Sequence, residues 1–200
     1  MNDDHESTPS TTPKWTPIER ALFERRIIQI FGAVDSELAE SVTRQLLAME
    51  AANPEAPVYL FINSPGGEVT SGFAIFDTAR FIRPEVYTVV TGLAASMGSL
   101  IALCAEKKNR VAMPNAKFLI HQPLISGILR GSASDLEIHA NDILKLRERI
   151  NRLYAEECGR NFEEVQSATD RDKWRDPDEA LHFAPISRVG ARHNGLFPRK

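Results

Sequence analysis

Apolar residues along this chain follow two spacings, and each change of spacing marks an element. Residues 1–17, MNDDHESTPSTTPKWTP, show neither, being rich in Ser, Thr and Pro. Such a segment buries too little surface to offset its ordering entropy and reads as a flexible arm. Ile18, Ala21 and Leu22 among charges suggest a short helix over 18–26, leading into a buried strand from Arg26 to Phe31 with a turn at Gly32. From Ser36 to Ala52, Leu38, Val42, Leu46 and Met49 step by three or four. That is an amphipathic helix with Ser36 as its N-cap, ended by Asn53-Pro54. Val58 to Ile62 is an unbroken apolar run rich in branched and aromatic residues, which fits a strand buried on both faces. Val69 to Ile82 has a helical pattern, Val86 to Thr91 a buried-strand pattern, and Ser96 to Ala105 that of an apolar helix. Arg110 to Met113 and Lys117 to His121 read as short strands.

Strand and helix therefore alternate, which predicts a layered α/β fold with largely parallel strands. Ser134 to Gly159 is the clearest helix. Ser134 and Glu137 have capping-box spacing, and Gly159 supplies the stop. At 1.5 Å per residue it spans roughly 36 Å, more than a compact core of this size requires. It is either an outer helix along one side or a subunit-contact element.

Composition narrows the class. The chain has 200 residues, enough for one domain with its own core. The net charge of −3 excludes bulk electrostatic binding of nucleic acid. Two cysteines, Cys104 and Cys158, make no disulfide scaffold and no four-thiolate zinc site. The longest near-apolar run, Gly92 to Ala105, is too short for a membrane span, and the polar start is no signal sequence. The expectation is a soluble cytoplasmic domain at 18–188, with a polar arm at 1–17 and a basic tail at 189–200.

Two segments could carry chemistry. Gly66-Gly67 lies between a strand and a helix; it is either a tight turn or a pair of exposed N–H groups for an anion or carbonyl oxygen. No phosphate-loop pattern follows it. Gly92 to Ser99 is crowded with small residues, and Ser96 falls at a helix start. Ser96 is either an N-cap or a nucleophile whose oxyanion would lie at the positive helix end. A nucleophilic serine needs a base. His5 lies in the arm, His139 on the charged helix and His193 near the tail. His121, at the end of a buried strand, is the best base by position, with His182 in reserve.

The strings Asn63-Ser64-Pro65-Gly66-Gly67, Ala94-Ala95-Ser96-Met97-Gly98 and Pro114-Asn115 followed by His121-Gln122-Pro123 resemble, in order and spacing, the ClpP family of ATP-dependent serine peptidases. The resemblance covers about residues 18–188. It implies a ClpP/crotonase-like layered fold of repeated strand-helix units with a long protruding handle helix, the handle region being about 122–159. It implies Ser96 as nucleophile, His121 as base, and Asp172 as the third member, with Asp170 the local competitor and Asp176 and Asp178 behind it. Gly67 and Met97 match the oxyanion donors, and Val69 and Leu124 the substrate-groove walls. Asp170 and Arg171 match a charged pair at the contact between rings.

The resemblance further implies unfolded polypeptide substrates and a tetradecamer of two stacked heptameric rings. It implies an AAA+ unfoldase such as ClpX or ClpA docking near Tyr59, Phe61 and Val89. No metal or organic cofactor is expected in this chain, ATP being used by the unfoldase, and no membrane or nucleic acid is implied. The chain departs from the family pattern in its N-terminal arm, in Thr91, in about two extra residues in the stretch 125–132, and in Phe183 to Ser187. These departures suggest an atypical second paralogue, active in homo-rings or in rings mixed with a ClpP paralogue. The alternatives are a non-catalytic or conditionally active ring subunit, and a crotonase-type acyl-CoA enzyme. A Ser–Lys dyad through Lys107, Lys108 or Lys117 fits the spacing less well than His121.

Overall fold

The structure is a computed structural model that describes residues 15–123 and 131–190. His5, Leu124, His193 and most of the stretch 125–132 lie outside the described residues. The described residues begin inside the segment read as an arm. Thr16 Oγ1 accepts from Glu19 N–H, and the Glu19 carboxylate accepts from Thr16 N–H at 2.7 Å. This reciprocal cap, with Pro17 at the first position, starts helix α1 (Pro17–Glu24). Trp15 meets Phe23 edge-on at 4.7 Å.

Strand β1 (Ile27–Val34) leads to α2 (Ser36–Ala52). The N-cap of α2 is Asp35, not Ser36: Asp35 Oδ1 accepts from Leu38 N–H at 2.9 Å. A carboxylate at a helix start serves both capping and the dipole, so it prevails over the adjacent hydroxyl. Strand β2 (Val58–Gly67) runs on through Ser64-Pro65-Gly66-Gly67 into α3 (Val69–Phe81). Strand β3 (Val86–Ala95) ends directly before α4 (Met97–Ile101), which continues as a 3-10 turn to Cys104. Short strands β4 (Arg110–Ala112) and β5 (Lys117–Ile120) precede the long helix α5 (Ala133–Cys158). Its capping box is Ser132 with Asp135, two residues before the expected pair. Gly159 ends it at φ 65°. Then come α6 (Phe162–Thr169), β6 (Lys173–Arg175), α7 (Pro177–Phe183) and β7 (Arg188–Val189), which periodicity did not reveal.

The sheet order is β1-β2-β3-β4-β7, all parallel, as the alternating pattern predicts. Strand β3 changes partner along its length. Thr88 to Val90 pair with β4, and Leu93 to Ala95 pair with β5. Strand β6 closes on β5 antiparallel, with Ile120 opposite Lys173. This split brings Ser96, the strand end carrying His121 and the chain before Lys173 to one corner.

The two faces of the sheet are unequal. Ile28, Ile30, Leu60, Ile62 and Val90 alternate onto the face covered by α2, α3 and α4, where the main core sits. The other face holds a small separate cluster of Val89 and Val111 under Phe61 and Met113, with Tyr59 stacked on Tyr87 at 5.1 Å.

The C-terminal end of α5 is fastened by Arg110, whose side chain is 1% exposed. Its guanidinium donates to the carbonyls of Ala105, Leu103 and Glu157 and pairs with the Glu157 carboxylate, which also pairs with Arg80. A buried guanidinium is tolerable only when its donors are used, and three carbonyls and a carboxylate use them.

Candidate active site

Ser96 sits between the last residue of β3 and the first of α4. Its backbone has φ 51° and ψ −124°, a conformation that side-chain-bearing residues rarely adopt. Its N–H donates to Leu119 O at 2.9 Å. Its side chain makes no capping hydrogen bond, so the N-cap role does not describe this serine. The hydroxyl is carried on a sharp strand-to-helix turn and is only half-buried.

The Gly-Gly turn lies against that serine. A Cβ on Gly66 would come 2.7 Å from Ser96 Cβ and 2.8 Å from Met97 N. A Cβ on Gly67 would come 2.2 Å from Val34 O. Both positions therefore require glycine, at φ 90° and 155°. Glu68 N–H donates to Val34 O at 2.7 Å, and backbone groups of successive strand residues point to opposite edges. Gly67 itself is exposed. Met97 is the first residue of α4, where an N–H has no partner within the helix.

His121 follows β5 directly. Ala95 pairs with Leu119, so Ser96 and His121 are carried past neighbouring strand ends. His121 Nδ1 lies 3.5 Å from Asp172 Oδ1; the imidazole is 17% exposed and the carboxylate 67%. The other aspartates have different work. Asp170 pairs with Arg147 at 3.6 Å and Arg171 at 4.0 Å. Asp176 caps α7, and Asp178 lies in its first turn. His139 is exposed on α5, and His182 is exposed in the last turn of α7. Lys108 pairs with Glu85 and Glu106. Lys117 opens β5 opposite Leu93, at the end of the strand away from His121.

Val69 is the first residue of α3, just past the Gly-Gly turn, and is partly buried against the core. Gln122 was not singled out from the sequence, yet it ties the aspartate segment to the histidine strand. Its N–H donates to Thr169 O at 2.9 Å and its side chain to Asp170 O at 3.1 Å. The signal was present in the His-Gln-Pro string but had no geometry attached to it. Among the described residues, no cluster of three or more His, Cys, Asp or Glu could hold a metal ion.

The family model for Clp protease matches residues 10–193. The chain is 46% identical over 172 residues, 86% of its own length and 84% of the relative's, to the ATP-dependent Clp protease proteolytic subunit 1 of Protochlamydia amoebophila (strain UWE25). The strained serine turn, the paired glycines and the histidine–aspartate contact thus have a common context: this chain belongs to the Clp protease family, the serine-type peptidases that form the proteolytic subunits of ATP-dependent Clp proteases.

Proposed function

We propose that Ser96, His121 and Asp172 are the catalytic triad of an active endopeptidase, with the N–H groups of Gly67 and Met97 as its oxyanion hole. The observation that carries this is the 3.5 Å contact between His121 and Asp172, made beside the strand end to which Ser96 is hydrogen-bonded. His121 takes the Ser96 proton as the oxygen attacks a peptide carbonyl, then returns it to the leaving amine. Asp172 holds the imidazole in the tautomer that accepts at Nε2 and stabilises the imidazolium. Each oxyanion donor is worth about 3 kcal/mol in such sites. Water then resolves the acyl-enzyme.

The substrate is an extended, unfolded polypeptide lying past Gly67 along Val69, and the resemblance makes Leu124, outside the described residues, a second substrate contact. Subunits assemble as two stacked heptameric rings, alone or mixed with a paralogue, and an AAA+ unfoldase docks on the Phe61 and Val89 face. The whole works in the cytoplasm, and no helix among the described residues is long and apolar enough to cross a membrane. The exposed carboxylate of Asp172 favours conditional activity. A pair this open to water is weak, so assembly or substrate must tighten it. Asp170 and the 95% exposed Arg171 are suited to a contact that does so. An acyl-CoA role no longer competes, given the family.

Hydrolysis of a fluorogenic short peptide tests this, in the presence and absence of a paralogue. Ser96→Ala should abolish turnover, and Asp172→Asn should lower kcat on the order of 10⁴-fold. Asp170→Asn should act through assembly, with a change in native mass. Equal loss from both aspartate variants at unchanged native mass would reject Asp172 as the third member.

A further inference from the structure

Tyr154 lies in the middle of the chemistry without belonging to it. It is 2% exposed on α5, and its hydroxyl meets Ser99 Oγ at 2.5 Å. Ser99, 1% exposed on α4, is within hydrogen-bond distance of Ser96 O at 2.8 Å and Leu119 O at 3.3 Å. Proton counting sets the direction of this chain. Ser99 has one proton, and the Ser96 carbonyl at 2.8 Å is the better placed acceptor for it, which leaves the Ser99 oxygen to accept from the phenol. Of the other groups that act on Tyr154, Arg175 is a cation and accepts nothing, and the Cys158 thiol is only a weak acceptor. The order this favours is Tyr154 O–H to Ser99 Oγ, and Ser99 O–H to Ser96 O. Burial pushes the phenol pKa well above its ordinary value, so it remains a donor throughout the working pH range.

Ser96 holds a strained backbone and needs both of its peptide groups restrained. Its N–H is held by Leu119 O, and its carbonyl accepts from the N–H groups of Ser99 and Leu100 and from the Ser99 hydroxyl, which also touches Leu119 O. Leu119 is two residues before His121. We infer that Tyr154 is a positioning residue for Ser96, acting through Ser99, and that this tie links the long helix α5 to the geometry of the nucleophile. The proposal rests on Ser96 being that nucleophile. Helix α5 carries two further links on the same face, Asn151 to Thr169 and Arg147 to Asp170, which reach the segment bearing Asp172. Displacement of α5 would thus be felt at both ends of the triad.

The test uses the assembled protein with Tyr154→Phe, Ser99→Ala and the double variant. The readouts are the acylation rate of Ser96 by a β-lactone, kcat and KM for a short peptide, thermal stability, and hydrogen exchange of the 96–100 amides. Each single variant should slow acylation and lower kcat about 3- to 10-fold, the worth of one neutral hydrogen bond, with KM unchanged. The double variant should be no slower than the slower single one. Exchange at 96–100 should quicken in Tyr154→Phe. A lowered melting temperature with wild-type acylation, or losses that multiply in the double variant, would reduce Tyr154 to a packing residue and overturn the proposal. The exchange measurement does not depend on catalysis: unchanged protection would overturn the tie even if Ser96 proved unreactive. Acylation that persists in Ser96→Ala would instead refute the nucleophile.

Discussion

Ser96 is where local preference and tertiary structure conflict most. A non-glycine residue at φ 51° and ψ −124° costs about 1–3 kcal/mol, which the hydrogen bonds of its own N–H and carbonyl offset. The serine was legible as a candidate because small residues surround it, but its strain was not, since nothing in the string Ala-Ala-Ser-Met-Gly encodes a dihedral. Gly67 shows the opposite case. The glycine pair was visible, and the structure supplies the reason it cannot vary: Gly67→Ala drives a Cβ into Val34 O. That variant should lose peptidase activity and unfold several degrees earlier, as thermal denaturation would show. The cysteines make a separate prediction. Burial raises the Cys104 thiol to about 12 and Cys158 to about 11. Both remain neutral thiols at pH 8, so iodoacetamide should modify neither in the folded protein and both after denaturation. Rapid native alkylation would contradict the burial.

At the scale of elements, long periodic segments were legible and short ones were not. Helix α2 and helix α3 follow from apolar spacing to within a residue or two. Strands β6 and β7 and helix α7 do not, because three, two and seven residues cannot display a period and are held by partners distant in sequence. This matters for the site, since β6 fixes the position of Asp172 by pairing with β5. The start of α5 shows how a local signal misleads. Ser132-Ala133-Ser134-Asp135 and the following residues contain two overlapping capping boxes, and the helix uses the earlier one, with Ser132 Oγ bonded to Asp135 at 2.7 Å. Ser132→Ala should cost about 1 kcal/mol, and Ser134→Ala should cost little, measured as a shift in denaturation midpoint. At the other end, Glu157→Gln weakens the partner of a buried Arg110 and should destabilise more than the cap does.

One copy of this fold buries a core on one face of its sheet and leaves much apolar surface uncovered. Ile18, Phe31, Phe81, Ile138, Leu144 and Trp174 are all exposed, on elements at different sides of the molecule. Scattered singly they would need no explanation, but a ring subunit has neighbours on several sides to bury them. Native mass spectrometry should accordingly find high-order assemblies, of this chain alone or with a paralogue, and Phe81→Asp should reduce their population. At the end of the opening polar segment, Thr16 caps helix α1 and Pro17 is its first residue. The central claim is that one serine is made nucleophilic by one histidine. Intact-mass analysis after exposure to a fluorophosphonate, followed by peptide mapping, tests it most directly. The account predicts a single adduct on Ser96, absent in Ser96→Ala and formed at least a hundredfold more slowly in His121→Ala. An adduct on another serine, or unchanged labelling in His121→Ala, would contradict it.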